Sequence, residues 1–172
     1  PDKGLAHDHV RIEGAGVLLR VPRQSQYGFQ AAENLRYQAA CFKRTSEGGH
    51  APKLHGVIQP SDALPMGALL VEEIVGRPVS LPGDLAAIAR CQASVHRLPV
   101  PPRDRRPPLV DYDNPAAWSF RDIDARAKYV AEAVTDKTAR AMIEEELDWG
   151  RRFLAGMGDA EQPKRLVFAD TH

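Results

Sequence analysis

Cysteine is scarce. The 172 residues include two, Cys41 and Cys91, far apart in the chain and outside any CxxC or Cys/His cluster. That argues against a zinc site or a disulfide scaffold and fits a reducing cytoplasm. An excess of charge is lacking too: 23 Lys and Arg balance 23 Asp and Glu. Nucleic-acid and membrane-surface partners call for a basic surplus, so neither is expected. The balance is also local, with eight basic and seven acidic side chains over residues 1–72. No apolar run outlasts Ala68 to Val71 by much, whereas a bilayer span needs roughly 20 such residues. The polar N-terminus, broken by Gly4, His7 and Asp8, does not look like a signal peptide. Six histidines, His7, His9, His50, His55, His96 and His172, show no HExxH spacing, so a zinc hydrolase is unsupported. The G-x-S-x-G elbow of a serine hydrolase is missing as well.

What the chain does have is enough length for a real core, burying roughly 70% of its unfolded surface. That suits one domain or two small lobes. Val10-Arg11-Ile12 and Val17 to Val21 flank Glu13-Gly14-Ala15-Gly16, which predicts a hairpin. No helix is predicted to open after Gly14-Ala15-Gly16, so those glycines read as a turn and not as a dinucleotide loop. Ala32, Leu35, Ala39 and Phe42 recur at helical spacing and predict a helix over 29–42, ended by Gly48 and Gly49. Strands are predicted over 53–58 and 68–74. Leu85, Ile88, Ala89, Gln92 and Val95 then mark a helix opened by Pro82 and Asp84. Residues 99–108 hold five prolines and three arginines, an extended connector. Helices follow over 123–134 and 138–154, with Asn114-Pro115 as a cap and first turn, and Leu166 to Ala169 reads as a short strand. The chain begins at Pro1 and stops at His172 just beyond that apolar run. It is therefore expected to be a piece of a longer protein. Strands with one helix come first and helices follow, which points to an α+β fold of two lobes, 1–74 and 75–172.

Three charged residues stand where chemistry can live. Asp170 follows an apolar run, at a strand end where a carboxylate can take a proton from a hydroxyl; it equally suits a turn or a cap. Arg20 lies within a strand, where a cation can hold phosphate oxygens or face solvent on an edge. Glu33, on the first helix, can pair with such a cation or sit on the surface. Leu69 to Ile74 with Gly76 reads as a strand whose end offers backbone groups to a flat heterocycle, or as an ordinary strand before a turn.

Taken in order, these segments resemble the aminoglycoside phosphotransferase and choline kinase family. Val17-Leu18-Leu19-Arg20-Val21-Pro22-Arg23 is similar to its cation-bearing strand, and Leu69 to Ile74 followed by Gly76-Arg77-Pro78 to its linker. Ser94-Val95-His96-Arg97-Leu98-Pro99 is similar to its helix end, and Leu166-Val167-Phe168-Ala169-Asp170-Thr171-His172 to the start of its catalytic loop. The resemblance spans nearly the whole chain. It implies a protein-kinase-like fold, with a small antiparallel-sheet lobe carrying one helix before a mostly helical, here incomplete, lobe. It implies ATP-dependent transfer of the γ-phosphate to a hydroxyl of a small molecule, with ATP and Mg2+ as cofactors. Gly4, Leu5, Ala6 and His7 would cover the phosphates, Arg20 with Glu33 would hold them, and Glu72 and Ile74 would bond adenine through backbone groups. Asp170 would be the catalytic acceptor of the hydroxyl proton. Phe168-Ala169 stands where the family has His-Gly, Ala6-His7 replaces a Ser or Asn, and the family's magnesium ligands would fall beyond His172. Those departures favour the alternative, a non-catalytic nucleotide-binding or regulatory module. As it stands the fragment is expected to be inactive. An α+β interaction domain without a nucleotide site is a third reading. The acceptor and the oligomeric state are not specified.

Overall fold

The computed structural model describes residues 6–158 and 164–167. They form two compact units, one running to Val110 and taking in residues 165–167, the other Asp111–Lys164. The expected lobe boundary at 74/75 falls inside the first unit. The architecture is α+β: one antiparallel sheet with helices.

In the first unit, β1 (His7–Ile12) and β2 (Val17–Pro22) are the predicted hairpin, with His9 opposite Arg20 and Ile12 opposite Val17. Gly14 and Gly16 take positive φ in its turn, as only glycine does without strain. Helix α1 (Ala31–Ser46) follows, then β3 (Leu54–Ile58) and β4 (Ala68–Glu72). The sheet order is β1-β2-β4-β3, antiparallel throughout. Opposed residues share a face, so Leu18 with Val71, and Arg20 with Leu69, all point to the same side. That side carries the core: Leu35 and Ala39 of α1 bury against Leu69 and Val71, joined by Leu18, Phe42 and Leu54.

Helix α1 starts two residues later and ends four later than the apolar spacing predicts. Phe29 stays outside because its N–H bonds Ser25 Oγ at 3.0 Å and its ring packs on Tyr37. Helix α2 (Leu85–His96) matches its prediction. Asp84 precedes it without capping it; its carboxylate takes two bonds from Arg77, at 2.8 and 2.7 Å, and one from the Ser80 N–H at 2.7 Å. Ser94 comes so close to Gly48 that a Cβ there would meet its Oγ at 3.0 Å. The Cys91 thiol also reaches the His50 carbonyl, so α2 is joined to the end of α1. A short 3-10 turn, Arg103–Arg105, interrupts the connector.

The second unit pairs α3 (Pro115–Ala133) with α4 (Lys137–Met157). Asn114 caps α3 through the Ala117 N–H and Asp136 caps α4 through the Ala139 N–H. The cap at Asn114 with Pro115 behind it starts α3 eight residues before its apolar spacing begins. Gly150 lies against the Phe120 ring, and Arg151 ties Asp124 to Asp148. The predicted strand Leu166 to Ala169 is corrected in its first half: Leu166 and Val167 carry no regular structure and Val167 is exposed, while Phe168 and Ala169 lie outside the described residues. An apolar run forms a strand only where a neighbouring strand completes its ladder.

Gly67 sits at φ 66°, where a Cβ would lie 2.6 Å from the Ile58 carbonyl and 2.9 Å from Leu35. Gly67→Ala adds left-handed strain to overpacking, together about 2–5 kcal/mol, and should lower the urea midpoint accordingly without changing the slope.

Candidate functional site

Alternation along β2 sets the position of Arg20. Being in register with Leu69, which is fully buried, it points toward α1 and not to solvent. A guanidinium there needs partners, because an unpaired charge is costly in a low dielectric. Its Nη2 lies 3.1 Å from Nδ1 and 3.2 Å from Nε2 of His7. The guanidinium carbon stands 5.6 Å from the centre of the Phe42 ring, within cation–π range. The His7 Nε2 is in turn 3.3 Å from Gln38 Oε1, and the His7 ring stacks on His9.

These side chains line a cavity of about 160 Å³, completed by Gln26, Tyr27, Asn34, Tyr37 and Cys41. Asn34 is 2% exposed, and its Nδ2 has no hydrogen-bond partner among the described residues. Tyr27, Phe29 and Tyr37 form a ring cluster with centres 5.3–5.7 Å apart. Burial first, then Cys41 and Tyr27, push the Tyr37 hydroxyl well above its ordinary range. Burial also pushes the Cys41 thiol up, against opposing pulls from Tyr37 and Arg20. At neutral pH both are held protonated, and Arg20 brings a positive charge to this cavity. On β1, Asp8 is held below the usual carboxylate range by Arg23.

Ala6 is fixed at the entry to β1, its carbonyl accepting from the Arg23 N–H at 2.9 Å, and His7 follows into the cavity. Gly4 and Leu5 lie outside the described residues, as does Asp170. Glu33 is not brought to Arg20. It is exposed on the first turn of α1 and makes no hydrogen bond or ion pair among the described residues. The physical reason is helical phase: Glu33 is about 200° around the helix from the buried Leu35, whereas Gln38 is only about 60° away. At the end of β4 the Glu72 N–H donates to the Lys53 carbonyl and the Glu73 N–H to the Gly16 carbonyl, both at 2.9 Å. The Glu72 carboxylate accepts from the Lys53 N–H at 3.1 Å, and Glu73 pairs with Arg11 at 2.6 Å. Ile74 is the first residue past the ladder, and its N–H has no partner among the described residues.

A sequence profile described as the phosphotransferase enzyme family (APH) matches residues 2–172. The chain belongs to that family. No curated protein and no solved structure gave a significant match. An arginine held on the inner face of a small antiparallel sheet, under a single helix, is consistent with the family's kinase-like fold. The phosphotransferase family implies use of a nucleotide, typically with Mg2+. No group of three His, Cys, Asp or Glu side chains among the described residues can hold a metal ion. No helix among them is long and apolar enough to cross a membrane.

Asn34, Tyr37 and Gln38 were not singled out in the sequence, although a signal exists. Each interrupts or borders the apolar stripe of Leu35, Ala39 and Phe42, and a polar residue on a buried face must meet something polar.

Tyr37 gives this site an alkaline signature. Its folded-state pKa is raised, so its contribution to stability is intact below the ordinary value of 10.0 and is lost as pH rises beyond it. Alkaline unfolding followed by tyrosinate absorbance should start above pH 10, and Tyr37→Phe should flatten that slope.

Proposed function

We propose that this phosphotransferase-family chain carries the nucleotide-binding part of an ATP-dependent enzyme. That enzyme moves the γ-phosphate to a hydroxyl of a small molecule, in the manner of aminoglycoside, choline or homoserine kinases. The observation that carries the reading is Arg20: a cation held on the inner face of the sheet in a chain matching the family along almost its whole length.

Phosphoryl transfer rests on positioning and charge neutralisation. When bound, ATP supplies the γ-phosphoryl group, with Mg2+ shielding its oxygens. The planar Arg20 fork would hold phosphate oxygens through two parallel N–H donors. Ala6 and His7, with Gly4 and Leu5 before them, would close over the same oxygens. The Ile74 N–H and a Glu72 backbone group would bond the edge of adenine. Asp170 would accept the hydrogen of the acceptor hydroxyl and take its proton late in the transfer. Glu33 enters this reading only by resemblance. The acceptor would be a small hydroxyl compound, neither a nucleic acid nor a membrane, and the location cytoplasmic.

In the intact protein, Arg20→Ala should weaken ATP affinity by roughly tenfold or more, the loss of a charged hydrogen-bonded contact, as titrated by calorimetry. Unchanged affinity would remove Arg20 from the site. Asp170→Asn should abolish transfer and leave ATP affinity within about twofold. Turnover by that variant at the parent rate would sink the base assignment. ATP binding without turnover on any hydroxyl acceptor would instead favour a non-catalytic nucleotide-binding module, as the Phe168-Ala169 pair before Asp170 suggests.

A further inference from the structure

The carboxylate that stands where α2 would be capped is turned to another use. Asp84 holds the N-cap position, yet its side chain accepts nothing from the first turn of the helix, although an aspartate there ordinarily does. Its Oδ2 accepts from Arg77 Nη1 at 2.8 Å and from the Ser80 N–H at 2.7 Å, and its Oδ1 from Arg77 Nη2 at 2.7 Å. The Asp84 N–H returns a bond to the Ser80 carbonyl at 3.0 Å, and the Arg77 fork also bonds the Pro78 carbonyl at 3.0 Å. The loop from Arg77 to Asp84 is thereby closed on itself at the start of α2. Arg77 holds the Asp84 carboxyl below its ordinary range, helped by the Ser80 N–H, so the pair stays charged at neutral pH.

What the closed loop holds is the linker, Ile74-Val75-Gly76. Burial does not fix it, since Ile74 is 60% and Val75 84% exposed. Backbone bonding does not either: residues 74–76 make no hydrogen bond among the described residues. The linker is left to its two ends, the Glu73 N–H on the Gly16 carbonyl at 2.9 Å and Arg77 on Asp84. We infer that Arg77 and Asp84 are positioning residues for the linker: their two-bond pair, rooted at the start of α2, sets the direction of the backbone groups from Ile74 to Gly76. An exposed ion pair contributes little to stability, so the effect of this one is geometric. A linker already in place spares a flat heterocycle the entropy of ordering it. The inference rests on the reading that this linker takes adenine, and its structural part can be tested apart from that reading.

Backbone nitrogen relaxation on the intact protein decides the structural part. Order parameters of the Ile74, Val75 and Gly76 amides should lie near about 0.85 in the parent and drop below about 0.6 in Arg77→Ala and in Asp84→Ser. Serine still suits the N-cap, so Asp84→Ser should melt within about 3 °C of the parent. Mobile linker amides in the parent, or parental order parameters in both variants, overturn the inference. Affinity decides the rest. Each variant should bind ATP and adenosine alike about three- to tenfold more weakly, the size of one neutral hydrogen bond, and the double variant no more weakly than either. Parental affinity for both ligands in both variants overturns the inference, while ATP binding by the parent keeps the nucleotide reading. Should the parent bind neither ATP nor adenosine while the order parameters fall as stated, the nucleotide reading fails and the positioning of the linker stands.

Discussion

The pairing of β2 with β4, which sets Arg20 opposite Leu69, is the constraint from which the candidate site follows. In an antiparallel sheet a slip of one residue would turn every side chain over. The register that buries Leu69 and Val71 under α1 therefore also carries Arg20 to the inner face. A charge placed so is tolerable only with hydrogen bonds and an electron-rich surface around it. His7, contributed by the start of β1, and the Phe42 ring of α1 provide them.

Helix α1 consequently serves two purposes on adjoining faces. Leu35 and Ala39 fill the core, while Asn34, Gln38 and Cys41 on the flank of that stripe, with Tyr37 beyond them, line the cavity beside it. Burial that stabilises the sheet also dries the surroundings of Arg20. The same burial raises Tyr37 and Cys41, so neither adds a negative charge beside Arg20 at neutral pH.

The hairpin, α1, β3, β4 and α2 were legible in the chain because each rests on local signals: glycine turns, apolar periods and first-turn residues. Element ends were less so. Phe29 leaves the helix for an aromatic cluster that needs Tyr37 from a later turn. The start of α3 was legible from the Asn114-Pro115 cap, although the apolar period alone placed it eight residues too late. Leu166 and Val167 show the opposite failure, an apolar run with no strand paired to it among the described residues. At the site, β2 alternation left Arg20 open to either face, and Glu33 drew attention by charge where its helical phase pointed away from the core.

The sequence by itself determined the family, the α+β class and the strand that bears the cation. Those depend on motif order and on periods of two and 3.6 residues, which are local properties. Only the tertiary structure decided which way Arg20 points and what holds it. His7 and Gln38 are 31 residues apart, and no local pattern links them. They meet because burial of Leu35, Leu69 and Val71 lays α1 across the sheet, and a hydrogen bond forms only between groups that packing has already brought within reach.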